Sequence, residues 1–303
     1  MVLPKNEYRI SITSHCNMKC SYCHNEGNQS YNFLNIEDIE KLILESYDLG
    51  LESIRLTGGE PTMHKDFLSI CKMIKEDYGL KVGINTNAIL NDVILEGIDN
   101  GYIDRVVVGI DFIDGNISKM SPIGKSSKKI LDNVLEFKNH GCDVSISTVF
   151  ENDIYNTIEL LKWGLNNNVR VKILEIEKDE ICADISDEYK KMMNLCFEIF
   201  NITKAYDEFN QAKGIKNNKV VVNFYHSHCR LRECHICKNL HLRITSTGKL
   251  KQCLHYEDDD IYFLDGDIRN KVITCLERDV NYHTEKNSKN NNKVRERSKW
   301  KKI

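Results

Sequence analysis

The stretch YRISITSHCNMKCSYC, residues 8–23, joins two unlike pieces. YRISIT (8–13) is a short run rich in β-branched and apolar side chains, which favours a strand. It runs into a loop that carries three thiols, Cys16, Cys20 and Cys23, in a CxxxCxxC spacing. The opening run recurs along the chain as SIRLTG (53–58), KVGINT (81–86), RVVVGI (105–110), VSISTV (144–149) and VRVKILEI (169–176). Helical patterns lie between these runs. IEDIEKLILESYDLG places apolar residues at 36, 39, 42, 43 and 47 and closes on Gly50, while DFLSICKMIKEDYG and SSKKILDNVLEFKNHG also end in glycine. Six strand–helix alternations predict an α/β fold with a parallel sheet covered by helices. Six units without a seventh and eighth suggest a partial (β/α)6 TIM-like barrel, followed by a small C-terminal cysteine-rich β region. A doubly wound open sheet is the competing topology.

Composition bounds the function. The 303 residues carry a formal net charge of -3, which points to neither nucleic acid nor a membrane as partner. The longest apolar runs are of strand length, far short of the roughly 18 residues of a spanning helix. The N-terminus lacks a signal-peptide hydrophobic region. The reading is a cytoplasmic protein whose twelve cysteines are reduced. Seven of these form two clusters, at 16, 20, 23 and at 229, 234, 237, 253. Cys71, Cys142, Cys182, Cys196 and Cys275 are expected as buried small hydrophobes. Two units are expected: residues 1–218, a barrel to about 180 with a helical connection, and residues 219–303, the cysteine-rich region and a basic tail.

In parallel sheets function sits at the C-terminal strand ends, where the polar residues gather here. Strand one ends at Thr13, strand two in TGGEP (57–61), strand three in NTN (85–87) and strand four in GID (109–111). A structural zinc site takes four ligands, and a disulfide would leave an odd thiol. Three thiolates on one short loop suit a [4Fe–4S] cluster with one iron open to a small molecule.

CxxxCxxC with Tyr22 before its last cysteine, followed by Gly58, Gly59, Glu60 and Pro61, resembles the radical S-adenosylmethionine enzymes. The resemblance implies that the open iron is chelated by S-adenosylmethionine. It implies that the GGEP edge holds the cofactor's amino group, and that Tyr22, Asn87, Asp111 and neighbouring strand ends complete its site. One electron, from reduced flavodoxin or ferredoxin, then yields a 5′-deoxyadenosyl radical that takes hydrogen from substrate. His24, Asn25, Glu26 and Gly27 are expected to line the cofactor side of the rim.

The stretch HCRLRECHICKNLHLRITSTGKLKQCLHY is similar to the auxiliary-cluster region of the molybdenum-cofactor GTP cyclase branch and to related twitch domains. By that likeness Cys234, Cys237 and Cys253 hold a second [4Fe–4S] cluster. Cys229 is either a fourth ligand or a free thiol, and zinc is the competing occupant. Gly248 is expected at the turn of the strand pair before Cys253. The likeness also implies substrate contacts at Arg9, Arg55, Thr86, His241 and Arg243, with Arg243 and Glu175 as candidate catalytic residues. His241 stands where that branch has an arginine, Ser145 where it has a lysine, and its Gly-Gly tail is replaced by SKWKKI. Two substrates follow: a nucleotide or other small polar molecule, favoured because the cluster begins by residue 16 with no recognition domain before it, or a peptide. A non-catalytic metal protein is the third reading. The tail KNSKNNNKVRERSKWKKI is expected to be solvated, and EDDD (257–260) an exposed turn.

Overall fold

The computed structural model describes residues 6–20, 22–23, 31–113, 127–176, 185–207, 211–226, 241–252 and 261–277. The six expected strands form as β1 (Glu7–Thr13), β2 (Ser53–Gly58), β3 (Lys81–Thr86), β4 (Arg105–Gly109), β5 (Asp143–Phe150) and β6 (Arg170–Glu175). They lie side by side in sequence order, all parallel. A doubly wound sheet reverses its strand order at a switch point. The unbroken order from β1 to β6 excludes that topology and is the order of a half-wound β/α barrel. The sheet does not close on itself.

Helices α1 (Ile36–Ser46), α2 (Phe67–Lys72), α3 (Asn91–Asp99), α4 (Ser127–Asn139) and α5 (Ile154–Asn166) connect successive strands. Strand alternation decides what they cover. Tyr8, Ile10 and Ile12 on β1, Ile54 and Leu56 on β2, and Val171 and Ile173 on β6 are all buried in the core with Ile39, Leu42 and Ile43 of α1 and Leu160 and Leu161 of α5. Burying such side chains contributes about 1.5–3 kcal/mol each, so the alternation fixes the register of every strand. The intervening residues, Arg9, Ser11 and Thr13 on β1 and Arg170 and Lys172 on β6, face the inner side of the sheet.

Helix α6 (Asp187–Ile199) starts where a helical connection was expected. Beyond it the chain departs from that expectation and forms three strands, β7 (Thr203–Tyr206), β8 (Ala212–Lys216) and β9 (Lys219–Tyr225). β9 joins β6 in parallel, and β8 and β7 follow antiparallel. The β8–β9 turn is Asn217–Asn218, with φ of 51° and 60°, a two-residue hairpin that asparagine tolerates. The sheet is therefore continuous across residue 218, the position expected to divide the chain.

On the other flank β10 (Leu242–Ile244) pairs in parallel with β1, and β11 (Lys249–Lys251) and β12 (Ile261–Tyr262) follow antiparallel. The strand pair expected before Cys253 is thus present. Gly248, at φ +77°, makes its turn, where a Cβ would stand 2.4 Å from Leu264. The last helix among the described residues, α7 (Ile268–Glu277), packs on α1, and its Arg269 forks onto Asp48 (Nη2–Oδ2 2.9 Å). Cys71, Cys142, Cys196 and Cys275 are buried and form no disulfide among the described residues, as expected; Cys182 lies outside the described residues. No helix among the described residues is long and apolar enough to cross a membrane.

Candidate active site

The thiol loop leaves β1 and runs along the end of β2. The Gly59 amide donates to the Thr13 carbonyl at 2.7 Å, and the Glu60 amide to the His15 carbonyl at 2.8 Å. This close approach requires the two glycines. A Cβ at Gly58, whose φ is +148°, would stand 2.3 Å from the Thr13 oxygen, and one at Gly59 would stand 2.3 Å from the His15 oxygen. Within the loop the Met18 amide donates to Cys16 Sγ at 3.3 Å, and the Cys23 amide to the Cys20 carbonyl at 3.2 Å.

Glu60 is buried, and its carboxylate gathers the strand ends. Oε1 accepts from the Thr62 amide (3.2 Å), the Thr62 hydroxyl (2.7 Å) and the Thr86 hydroxyl (2.8 Å), while Oε2 accepts from the Asn87 amide (2.8 Å). Burial pushes its carboxyl upward against these bonds. Pro61 opens the short 3-10 turn that Glu60 caps. The Asn87 side chain donates to Asn17 Oδ1 at 2.7 Å and so ties the end of β3 to the thiol loop. A second tie runs from Tyr22, whose hydroxyl donates to Asp111 Oδ2. Asp111 also accepts the Val149 amide at 2.8 Å, which anchors it to β5. Burial raises the Asp111 carboxyl and, with the Asp111 charge beside it, the Tyr22 hydroxyl. The expected cofactor residues Tyr22, Gly58, Gly59, Glu60, Pro61, Asn87 and Asp111 are thus one connected rim.

The thiols fit an iron–sulfur cluster. Burial, then the charges of Asp111, Cys23 and Cys16, push the Cys20 thiol up to about 12. Burial, with Glu60 and Cys23 contributing, raises Cys16 as well. Cys16 and Cys20, raised in this way beside one another, become stable thiolates around a cationic centre. No three His, Cys, Asp or Glu side chains among the described residues converge on a single metal ion. A cluster that takes one thiolate per iron asks for no such convergence.

The expected substrate residues divide. Arg9 pairs in register with Arg55 on one side and Arg243 on the other, so three arginines stand in one row on β10, β1 and β2. Arg55 Nη2 meets Glu7 Oε2 at 2.9 Å. Thr86 is placed otherwise: its hydroxyl serves Glu60 and accepts the Ala88 amide at 2.9 Å. Glu175, a candidate catalytic residue, shares the core-facing side of β6 with Val171 and Ile173, and its Oε1 accepts the Ser186 amide at the start of α6 (2.8 Å). His241 precedes β10. Cys229, Cys234, Cys237, Cys253 and residues 24–27 lie outside the described residues.

One group was missed from the sequence. Lys172, on the inner face of β6, has its ammonium lowered from 10.5 to about 7, first by burial and then by the positive charges of Arg55, Arg170 and Arg105, with Asp143 opposing. Its signal was a pair of cations two residues apart in a strand whose other face, Val171 and Ile173, is apolar.

A profile described as Radical SAM superfamily matches residues 10–163. The chain is 26% identical over 294 residues to a protein of Pyrococcus horikoshii named probable GTP 3′,8-cyclase, covering 88% of this chain and 89% of that one. Its fold is similar to Streptococcus suis SuiB bound to precursor peptide SuiA (TM-score 0.67, 18% identity, 88% of this chain), of which it spans 64%. It is also similar to native anSMEcpe with bound AdoMet (TM-score 0.62, 15% identity, 91% of this chain and 82% of that one).

Proposed function

Because the chain belongs to the radical SAM superfamily, we propose that it acts on a small, polar, anionic substrate of the nucleotide type, held on the inner face of the sheet beneath the thiol loop. When bound, the loop cluster and S-adenosylmethionine supply a 5′-deoxyadenosyl radical able to take a hydrogen atom from that substrate. The chain's own residues do the rest. Cys16, Cys20 and Cys23 hold the cluster. Gly58 and Gly59 let the loop lie on β2, Glu60 and Asn87 lock the rim, and Tyr22 and Asp111 close its far side. The observation that carries the substrate reading is the in-register row Arg243–Arg9–Arg55. Arginines offer fixed, charge-assisted forks suited to phosphate oxygens. The name of the Pyrococcus horikoshii relative agrees with it.

The same reading places a second cluster on Cys234, Cys237 and Cys253, close to the substrate, with Cys229 beside them. It places the chain in the cytoplasm, with reduced flavodoxin or ferredoxin as electron donor. Its test is 5′-deoxyadenosine formation by the anaerobically reconstituted, dithionite-reduced protein with and without GTP. GTP should raise the yield and be consumed. Slow, GTP-independent formation alone would remove the nucleotide and leave peptide modification, the reading that the likeness to peptide-bound SuiB favours.

A further inference from the structure

We propose that Arg170 and Lys172 on β6, with Ser145 on β5 and Asn85 on β3, form an anion site that receives the phosphate or carboxylate end of the substrate. The proposal deepens the reading of a small anionic substrate and rests on it.

The strand register puts these residues together. Asn85 pairs with Val107, Val107 with Ser145, and Ser145 with Arg170, so one row crosses β3 to β6. Lys172 stands two residues further along, between Ser147 and Asn223. Val171 and Ile173 alternate with the two cations and are fully buried in the helix-side core. Arg170 and Lys172 therefore share the inner face.

Three polar atoms in the row are buried and have no hydrogen-bond partner among the described residues: Asn85 Oδ1, Ser145 Oγ and Arg170 Nε. Native interiors leave few such groups unpaired. One orphan is a local irregularity, but three in register on one face describe the lining of a binding site. Lys172 likewise forms no hydrogen bond or ion pair among the described residues.

The charge balance points the same way. Of the cations that act on one another here, Arg55 is paired with Glu7 at 2.9 Å and Arg105 with Asp143 at 2.7 Å. Among the described residues neither Arg170 nor Lys172 forms an ion pair with a carboxylate. Partly desolvated like charges without a counterion are costly, and a bound oxyanion would pair both. The guanidinium suits two oxygens of one anion, and the ammonium a third. Ser145 can donate to the anion, and Asn85 Oδ1 is left to accept from a hydroxyl or amine beside it. The strand-five position that carries serine here thus has a cation in register on the next strand.

Anion binding should draw a proton onto Lys172, because a bound negative charge opposes the lowering described above. The groups that act on Lys172 are Arg55 from β2, Arg105 from β4, Asp143 from β5 and Arg170 from its own strand, and Tyr225 on β9 lies in the field of Arg55 and Arg170. The arginines keep their charge, so the lysine is the group that takes up the proton.

The test is calorimetric titration of the reconstituted holoprotein, kept anaerobic at pH 8, with inorganic pyrophosphate and separately with succinate, in buffers of different ionisation heat. One of the two anions should bind, with net proton uptake. The tighter one identifies a phosphate-bearing or a carboxylate-bearing substrate. Arg170→Met and Lys172→Met should each weaken binding at least tenfold. Lys172→Met should abolish the proton uptake without lowering thermal stability, and the exposed Lys162→Met should change nothing. If neither anion binds the wild-type chain, or if binding survives both methionine variants, the proposal is overturned. Binding and net proton uptake by the wild-type chain need no variant, so a variant that misfolds leaves that part of the test intact. No turnover is needed, so failure of GTP to be consumed is a separate result.

Discussion

Gly59 lies directly against the backbone of His15: a side-chain carbon at position 59 would stand 2.3 Å from the His15 carbonyl oxygen, to which the next amide, that of Glu60, donates at 2.8 Å. The thiol loop is held in place by this absence of a side chain. Gly59→Ala must push the His15 backbone away or break the bond to Glu60. Such overpacking costs about 1–3 kcal/mol. The variant should hold less loop-bound iron after reconstitution and should cleave little S-adenosylmethionine, as iron assay and product analysis would show. Full iron content with full cleavage would be inconsistent with the glycine's role.

Tyr22 and Asp111 join the loop to the ends of β4 and β5. Removing a hydrogen bond to a buried carboxylate typically costs about 1.5–3 kcal/mol. Tyr22→Phe should therefore retain its three cysteines and its iron yet bind S-adenosylmethionine at least several-fold more weakly. Equilibrium binding to the unreduced, reconstituted protein measures this without turnover.

Lys172 gives a pH prediction with a definite sign. Its folded value is lowered from 10.5 to about 7. Between those values the unfolded chain binds the extra proton and the folded chain does not. Stability from this group must then rise with pH through that window, because the unfolded state holds more protons. Lys172→Met removes the group, so its stability should rise less steeply with pH from about 7 upward. Urea unfolding of both proteins at pH 7 and pH 9 compares the slopes, and parallel slopes would contradict the lowered lysine.

Cys16/Cys20/Cys23→Ala removes the loop cluster alone. After anaerobic reconstitution the triple variant should keep roughly four irons per chain, the content of one [4Fe–4S] cluster on Cys234, Cys237 and Cys253. Residual zinc in place of iron, or no metal, would remove the second cluster from the account.

The sequence disclosed what period and punctuation encode. The six parallel strands were legible because β-branched runs alternate with helical periodicity, and the rim because polar residues end four of those runs. The β7–β8–β9 meander was passed over, although Asn217–Asn218 between GIK and KVVVNF is a two-residue hairpin signal. Glu60 was legible as a rim residue, but that it binds Thr62, Thr86 and Asn87 depends on three elements meeting, which no spacing shows. The part Thr86 plays in holding Glu60 is hidden in the sequence for the same reason. Two-residue alternation from Val171 and Ile173 places Glu175 on the helix side, where it accepts the amide of Ser186, the N-cap of α6. Arg170 and Lys172 follow from that same alternation, but a charged pair in a strand gains meaning only when the neighbouring strands bring Ser145, Arg55 and Arg105 around it.

The most direct measurement is 5′-deoxyadenosine formed from S-adenosylmethionine by the anaerobically reconstituted, dithionite-reduced chain, set against the Cys16/Cys20/Cys23→Ala variant. The account predicts product from the wild-type chain and none from the variant. A wild-type chain that holds its full complement of iron yet forms no 5′-deoxyadenosine would contradict it.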